Sequence, residues 1–487
     1  MTAEPVLTPT SAPTAYRWRW LALTALLLGE AMNLLDATIV QVAAPAIHAD
    51  LGGSVSGIQW FTTAYTLPFA VLLITGGRLG DIAGRKRLFV IGVAGFMLAS
   101  AACAMAPSVV LLIAFRAVQG AAAAVIIPQT IGLIKTMFAG GELSKALGGI
   151  GPVMGLAAVC GPVLGGVLTH ADLFGSSWRA AFLVNVPLSL AVLAISPRLR
   201  ENRAPKRPAL DLTGTLLAAA GTGLAVYPLI GADLSGLPLR SWAAIAAGLC
   251  LMAVFAVHQR RVAEAGRSPL VEPSLFAHRG FPAALVTSTT FFAVTNGLMT
   301  VILLQLQLGA GVGVLKAGLT LAPWSVGLAV ASWIAGAHLV KRNGPRVMSL
   351  GLAVLMAGVL SAIAVYRTAE ADAGSYPIPL LFALAVVGVG VGLFSPAFFT
   401  IALKRLQPQE IGSAAGLLNA VQQLGATLGV AVLGSVYLGS AHSGDAVAGL
   451  RAVQTAFWGA VVLVMVSFAV SRMMVDESVS GDGGEGH

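Results

Sequence analysis

Residues 77–87 read GRLGDIAGRKR, a short polar turn where the apolar run 58–79 gives way to the apolar run 88–105. Gly77 and Gly84 permit a tight turn and close helix approach. Asp81 can accept backbone N–H groups at a helix start or pair with the arginines that follow. A loop that merely collects positive charge would explain Arg85, Lys86 and Arg87, but not the Gly-x-Leu-x-Asp-x-x-Gly order before them. Working outward, run after run of about 20 apolar residues passes without a charge, the length a bilayer core demands. Hydrophobic residues make up 57% of the 487 and charged residues 10%, against roughly 25% charged in soluble proteins. Mean hydropathy is +0.86. A transmembrane β-barrel, built from short alternating strands, is excluded. The chain reads as an all-α polytopic membrane protein.

Fourteen spans can be delimited, at residues 20–44, 58–79, 88–105, 109–134, 146–168, 180–195, 212–231, 241–258, 281–308, 315–340, 347–366, 378–402, 413–438 and 453–474. An even number puts both termini on one side. With the N-terminus cytoplasmic, inner segments hold 23 of the 29 basic residues and outer segments five, namely Arg179, Arg240, Lys316, Arg367 and Arg451. Arg116 alone lies deep within a span. That asymmetry is the positive-inside pattern. It accounts for the net charge of +9 as topology signals facing anionic lipid, not as a nucleic-acid surface. Residues 1–16 are expected to be a disordered cytoplasmic N-terminus, without the charged n-region of a cleaved signal. The acidic, Gly-rich residues 476–487 are expected to be a disordered tail. Cys103, Cys160 and Cys250 sit apart in apolar runs and suggest packing, not a disulfide or metal.

The chain also repeats itself. Residues 142–148 (ELSKALG) resemble 410–416 (EIGSAAG) at an offset of 268, and the same offset carries Gly120 onto Gly388 and Pro128 onto Pro396. The segment ending Gly84-Arg85-Lys86-Arg87 has a looser echo at Gly344-Pro345-Arg346. Two homologous six-helix bundles follow, 17–197 and 280–475, with spans 7 and 8 inserted in the linker 198–279. Parallel halves of six spans are a transporter architecture.

Asp36 in span 1 is a carboxylate in hydrocarbon, where charge costs several kcal/mol and a functional or paired role is the default. It lies eight residues before the outer end of its span, about 12 Å, and Arg116 seven residues after the outer start of span 4, about 10 Å. The two are nearly level, and in neighbouring helices they could interact directly or through water. Asp36 then alternates between a proton and a charged partner or cationic substrate, or else forms a static buried ion pair. Glu30, about 120° around the helix, is either a second proton site or a hydrogen-bonded structural acid. In span 5, Gly161, Pro162, Gly165 and Gly166 combine small residues that allow close helix crossing with a proline that bends the helix.

These motifs carry a resemblance. The 77–87 turn resembles the signature loop of the major facilitator superfamily. Gly161-Pro162-x-x-Gly165-Gly166 resembles the antiporter signature of its exporters. Asp36 with Thr38 and Pro45, span 6 from Trp178 to Pro187, and Gly416 to Gly425 of span 13 resemble its drug/proton antiporter family of fourteen spans. The resemblance covers about residues 17–475; Gln41, Ala44 and Glu30 depart from the pattern. It implies a major facilitator fold, alternating access around a central cavity, and proton-coupled efflux of an amphipathic drug, antibiotic or metabolite, with antibiotic resistance as the consequence. Gly77, Asp81, Gly84, Arg85 and Lys86 would form the gating loop, and Asn33, Gln119, Asn185, Asn296, Gln305, Asn419 and Gln422 would line the substrate cavity. The expected partners are a small-molecule substrate, protons and the lipid bilayer, with no nucleic acid, for a monomer in the inner or plasma membrane. No Walker motif, catalytic constellation or metal-ligand spacing appears, so neither ATP, an enzyme activity nor a cofactor is expected. Uptake of a small solute, or a membrane sensor without transport, are the alternative readings.

Overall fold

The computed structural model describes residues 16–482 except 55–56, 173–174, 204–208, 231–236, 278, 371–377, 405, 407–409 and 442–445. Fourteen of its helices are long and apolar enough to cross a membrane. They are α1 (Arg19–Leu51), α2 (Gly57–Ala83), α3 (Arg85–Ala104), α4 (Val109–Met137), α5 (Gly140–Ala171), α6 (Ser177–Arg198) and α7 (Leu212–Leu229). The rest are α8 (Leu239–Glu264), α9 (Gly280–Gly309), α10 (Val314–Leu339), α11 (Pro345–Ala369), α12 (Leu380–Leu403), α13 (Ile411–Ser440) and α14 (Ala446–Asp482). No strand occurs among the described residues.

The helix ends follow local chemistry. Gly84, at φ +107, makes the reversal between α2 and α3 in a region that favours glycine. The Ser108 hydroxyl accepts from the Leu111 N–H at the start of α4, and the Asp211 carboxylate accepts from the Gly214 N–H at the start of α7. Beyond the last span α14 runs on as helix to Asp482. Residues 483–487, and 1–15 of the expected N-terminal segment, lie outside the described residues. Tyr16 is placed, its hydroxyl donating to the Arg198 carbonyl.

The internal repeat reappears as repeated contacts. At Gly92 of α3, a side chain would press on Ile126 and Ala122 of α4; at Gly351 of α11, it would press on Phe394 and Gly390 of α12. Gly120 lies against the Tyr65 main chain, and Gly388 lies against that of Trp324. Gly77 approaches Pro128 as Gly336 approaches Pro396. The α2 and α3 members are displaced by 259 residues and the α4 members by 268. Small residues at equivalent crossings thus bring equivalent helices together.

The two six-helix groups meet along α2–α13 and α5–α10. Thr66 and Thr427 share a 2.6 Å hydrogen bond, and Ser435 donates to Gln59. Gln41 donates to Thr300, and Gln307 to the Val42 carbonyl. At the other seam Ser325 donates to the Ala158 carbonyl. These bonds lie in the half of the bundle away from the face where α1 begins, reaching about mid-depth: Thr66 is nine residues into α2, about 14 Å.

The inserted pair sits on the α2–α13 seam. Val226 and Ile230 cluster with Ala431 of α13, Thr215 bonds to Thr75 of α2, and the Leu229 carbonyl accepts from Ser435 of α13. α8 packs on α7, where Gly221 and Gly248 approach closely, and is otherwise open to lipid. At the N-terminal face the Asp211 carboxylate also accepts from His258 and Gln259 of α8. Partial burial pushes its pKa up, but the Gly214 N–H, His258 and Gln259 outweigh that and hold it below the usual carboxylate range.

Candidate functional site

Close packing of α4 on α2 at Gly120 carries Arg116, one turn away, beneath the Phe61 carbonyl, to which Nε donates at 2.9 Å. Arg116 Nη1 donates to Asp36 Oδ2 at 2.5 Å and to Gln119 Oε1 at 2.7 Å. Asp36 Oδ1 accepts from Gln119 Nε2 at 2.9 Å and from Asn185 Nδ2 at 2.7 Å. Both amides also donate to Ser100 Oγ on α3. The guanidinium lies 4.3 Å from the Tyr65 ring centroid and 5.7 Å from that of Phe182. Tyr65 in turn donates from its hydroxyl to Asn33 Oδ1. Five helices of one half therefore converge on one carboxylate, and Asp36, Arg116, Gln119, Asn185 and Ser100 are all 0% exposed.

Buried charges persist when paired and hydrogen-bonded, and Asp36 accepts three hydrogen bonds, from Arg116, Gln119 and Asn185. The surplus lies on the other members. Arg116 Nη2, Asn185 Oδ1 and Asn33 Nδ2 are buried without a hydrogen-bond partner among the described residues. Among the described residues the second half carries no counterpart. At the offset of 268, Arg116 and Gln119 map onto Leu384 and Val387, both buried and apolar, and further along the same helix Phe394 and Phe398 stack with Phe291.

Glu30 lies deeper on α1, buried against Thr130 of α4 and apart from the Asp36 network. In the 77–87 turn, Arg85 pairs with Asp81 at 2.6 Å and also donates to the Pro128 carbonyl. The exposed start of α3 is held by a residue that sequence reading missed. Glu201 accepts from the backbone N–H groups of Lys86 and Arg87, with one carboxylate oxygen each, and lies against Gly84. Lys86 Nζ donates to the Pro197 carbonyl. Glu201 is the one acidic residue in the basic stretch 198–207, which was the available signal. Arg78 ties the turn to both ends of the inserted pair, donating to the Ser268 and Ala209 carbonyls.

The span-5 motif divides between two neighbours. Gly161 and Gly165 lie against Thr38, Ile39 and Val42 of α1, while Gly166 lies against Val314 and Leu315 of α10. Gly318 of α10 faces the Pro162 carbonyl and Gly166. The motif is thus a crossing point between the two halves.

Three residues expected to line the cavity are buried in hydrogen bonds between helices. Gln119 and Asn185 are fully buried as ligands of Asp36. Gln305 is buried in the π-helical last turn of α9, accepting from the Tyr437 hydroxyl. Each satisfies a polar group between helices, the commonest use of an amide in a membrane protein. Asn33 is buried with Tyr65. Asn296, whose amide donates to the Phe292 carbonyl, and Asn419 and Gln422 on α13 are half-buried.

Residues 26–430 match the family model described as Major Facilitator Superfamily. The chain is 43% identical over 427 residues to a protein described as a probable actinorhodin transporter of Streptomyces coelicolor, covering 88% of this chain and 74% of that one. It is 35% identical to the puromycin resistance protein of Streptomyces alboniger, with 86% and 82% covered. With the tetracenomycin C resistance and export protein of Streptomyces glaucescens it shares 33%, with 85% and 75% covered. Among solved structures it is similar in fold to a bacterial homologue of the human lysosomal transporter Spinster in an inward-facing, unoccupied conformation. That likeness has a TM-score of 0.67 at 17% identity and covers 95% of this chain and 98% of that one.

Proposed function

The chain belongs to the major facilitator superfamily, and on that premise we propose that it is a secondary-active exporter of an amphipathic antibiotic or related compound, driven by proton entry. The observation that carries the coupling is the buried Asp36–Arg116 pair, built from five helices of one half and absent from the other. The names of the relatives, two resistance proteins and a transporter, support export of a bioactive compound.

Protonating Asp36 removes the charge that Arg116 faces. Arg116 keeps the Phe61 carbonyl, Gln119 and the Tyr65 ring, while α1, α4 and α6 lose their common anchor. The proton therefore changes how α1 sits against α4 and α6. Because α1 also packs on the Gly161–Gly166 stretch of α5, which crosses α10, a shift of α1 reaches the contact between halves. The grouping of inter-half hydrogen bonds in the far half of the membrane supports a state open toward the face where α1 begins. The 23-to-5 distribution of basic residues supports that face being cytoplasmic. In this state Asp81 and Arg85 satisfy one another within the first half, which leaves the gating turn free of the second half. One charge moving through 100 mV supplies about 2.3 kcal/mol to the exchange, and a pH gradient adds to it.

Inside-out vesicles test this. With a pH gradient imposed, adding a transported compound should release protons from the lumen and drive the compound inward. Asp36→Asn should abolish both. Proton-coupled accumulation by the Asp36→Asn protein would refute the role of Asp36. Substrate movement in the opposite direction would favour uptake.

A further inference from the structure

A groove of about 450 Å³ lies between α11 and α14, away from the Asp36–Arg116 network. Its floor is Leu352 and Val464, both buried, and Phe468 forms a half-buried wall. Ala353 and Ala469 line the exposed rim, where short side chains leave the gap between the helices unfilled. At the end nearest the N-terminal face, exposed Arg472 folds back so that its guanidinium lies 5.1 Å from the Phe468 ring centroid. Arg472 has no ion pair among the described residues. Asp476 and Glu477 follow about one turn further along the helix, beyond the groove.

The related seam of the first half, α3 against α6, is closed by the chain itself. Past α6 the chain turns back, Leu199 is buried, and Pro197 and Glu201 engage Lys86 and Arg87. α14 has no such turn. It continues as helix to Asp482, and among the described residues none is seen to fold back over the seam of the second half.

We propose that this groove binds one anionic phospholipid, its acyl chain between α11 and α14 and its phosphate on Arg472. An apolar slot opening sideways into hydrocarbon selects an aliphatic chain. A cation at the level of the headgroups selects a phosphate with net negative charge, which an arginine fork matches well. Aqueous ligands reach such a slot poorly, and a zwitterionic headgroup gains less from a single cation.

The test uses the purified full-length protein in detergent, with native mass spectrometry reading bound lipid. Phosphatidylglycerol and phosphatidylcholine of equal chain length are offered together, with soluble glycerol phosphate as a competitor. Phosphatidylglycerol should be retained at least fivefold over phosphatidylcholine. Arg472→Gln should remove the preference, Arg472→Lys should keep most of it, and Ala469→Leu, which fills the slot, should reduce retention of both lipids. Equal retention of the two lipids by the unmodified protein would overturn the proposal. So would a preference untouched in both Arg472→Gln and Ala469→Leu, or full displacement by glycerol phosphate. Binding is read without transport, so the result stands apart from the proposed function.

Discussion

Replacing Asp36 by Asn and Arg116 by Gln, singly and together, probes the buried network directly. Asp36→Asn keeps the shape but leaves Arg116 as an uncompensated cation at 0% exposure, flanked by Gln119 and Asn185 amides that point donors at the new amide. Arg116→Gln leaves a carboxylate with two amide donors and no counter-charge. Breaking one side of a buried pair costs about 3–5 kcal/mol, so each single variant should be destabilised by that order. The double variant removes both charges and converts the site into a neutral amide cluster around Ser100. It should recover about a third of the summed loss, a coupling of roughly 2–3 kcal/mol, in the upper range for residues in one network. Reversible unfolding of the purified protein in mixed micelles provides the measurement. Simple additivity, with the double variant losing the sum of the two, would show that the charges do not act as a pair.

Cysteines at Thr66 and Thr427, whose hydroxyls are 2.6 Å apart, should oxidise to a disulfide and stop transport until reduced; rapid transport in the fully oxidised protein would exclude opening of this seam. Gly120→Val and Gly388→Val each drive a side chain into a neighbouring main chain, and overpacking of that kind costs typically 1–3 kcal/mol or more. Both should lower the thermal midpoint by similar amounts, whereas Gly416→Ala, with open space around it, should be near neutral. The depressed pKa of Asp211 has a signed consequence. Its contribution to docking α7 on α8 is present above the carboxyl's unfolded pKa and is lost as pH falls through the lower folded value. Hydrogen exchange at the start of α7 should therefore accelerate on acidification, and Asp211→Asn should be fast throughout.

Much of the architecture is legible one residue at a time. The cost of placing a charge or an unpaired peptide in hydrocarbon is local and nearly additive, so fourteen spans, the side on which basic residues collect and the halves' repeat can be read along the chain. The level of Asp36 and Arg116 follows from helix rise alone. Tertiary structure decided which faces meet. Asn185 and Gln119 read equally well as cavity residues, yet the close contact at Gly120 sets the approach and rotation of α4, α6 packs beside α1 and α3, and the fold turns both amides onto Asp36. Glu201 and Arg472 are both charged residues near the C-terminal end of a half's last span. A chain reversal after α6 gives one a helix terminus to hold, while the unbroken α14 leaves the other over an open groove. Such pairings depend on crossing angles between helices far apart in the chain, which no span-by-span sum of transfer energies contains.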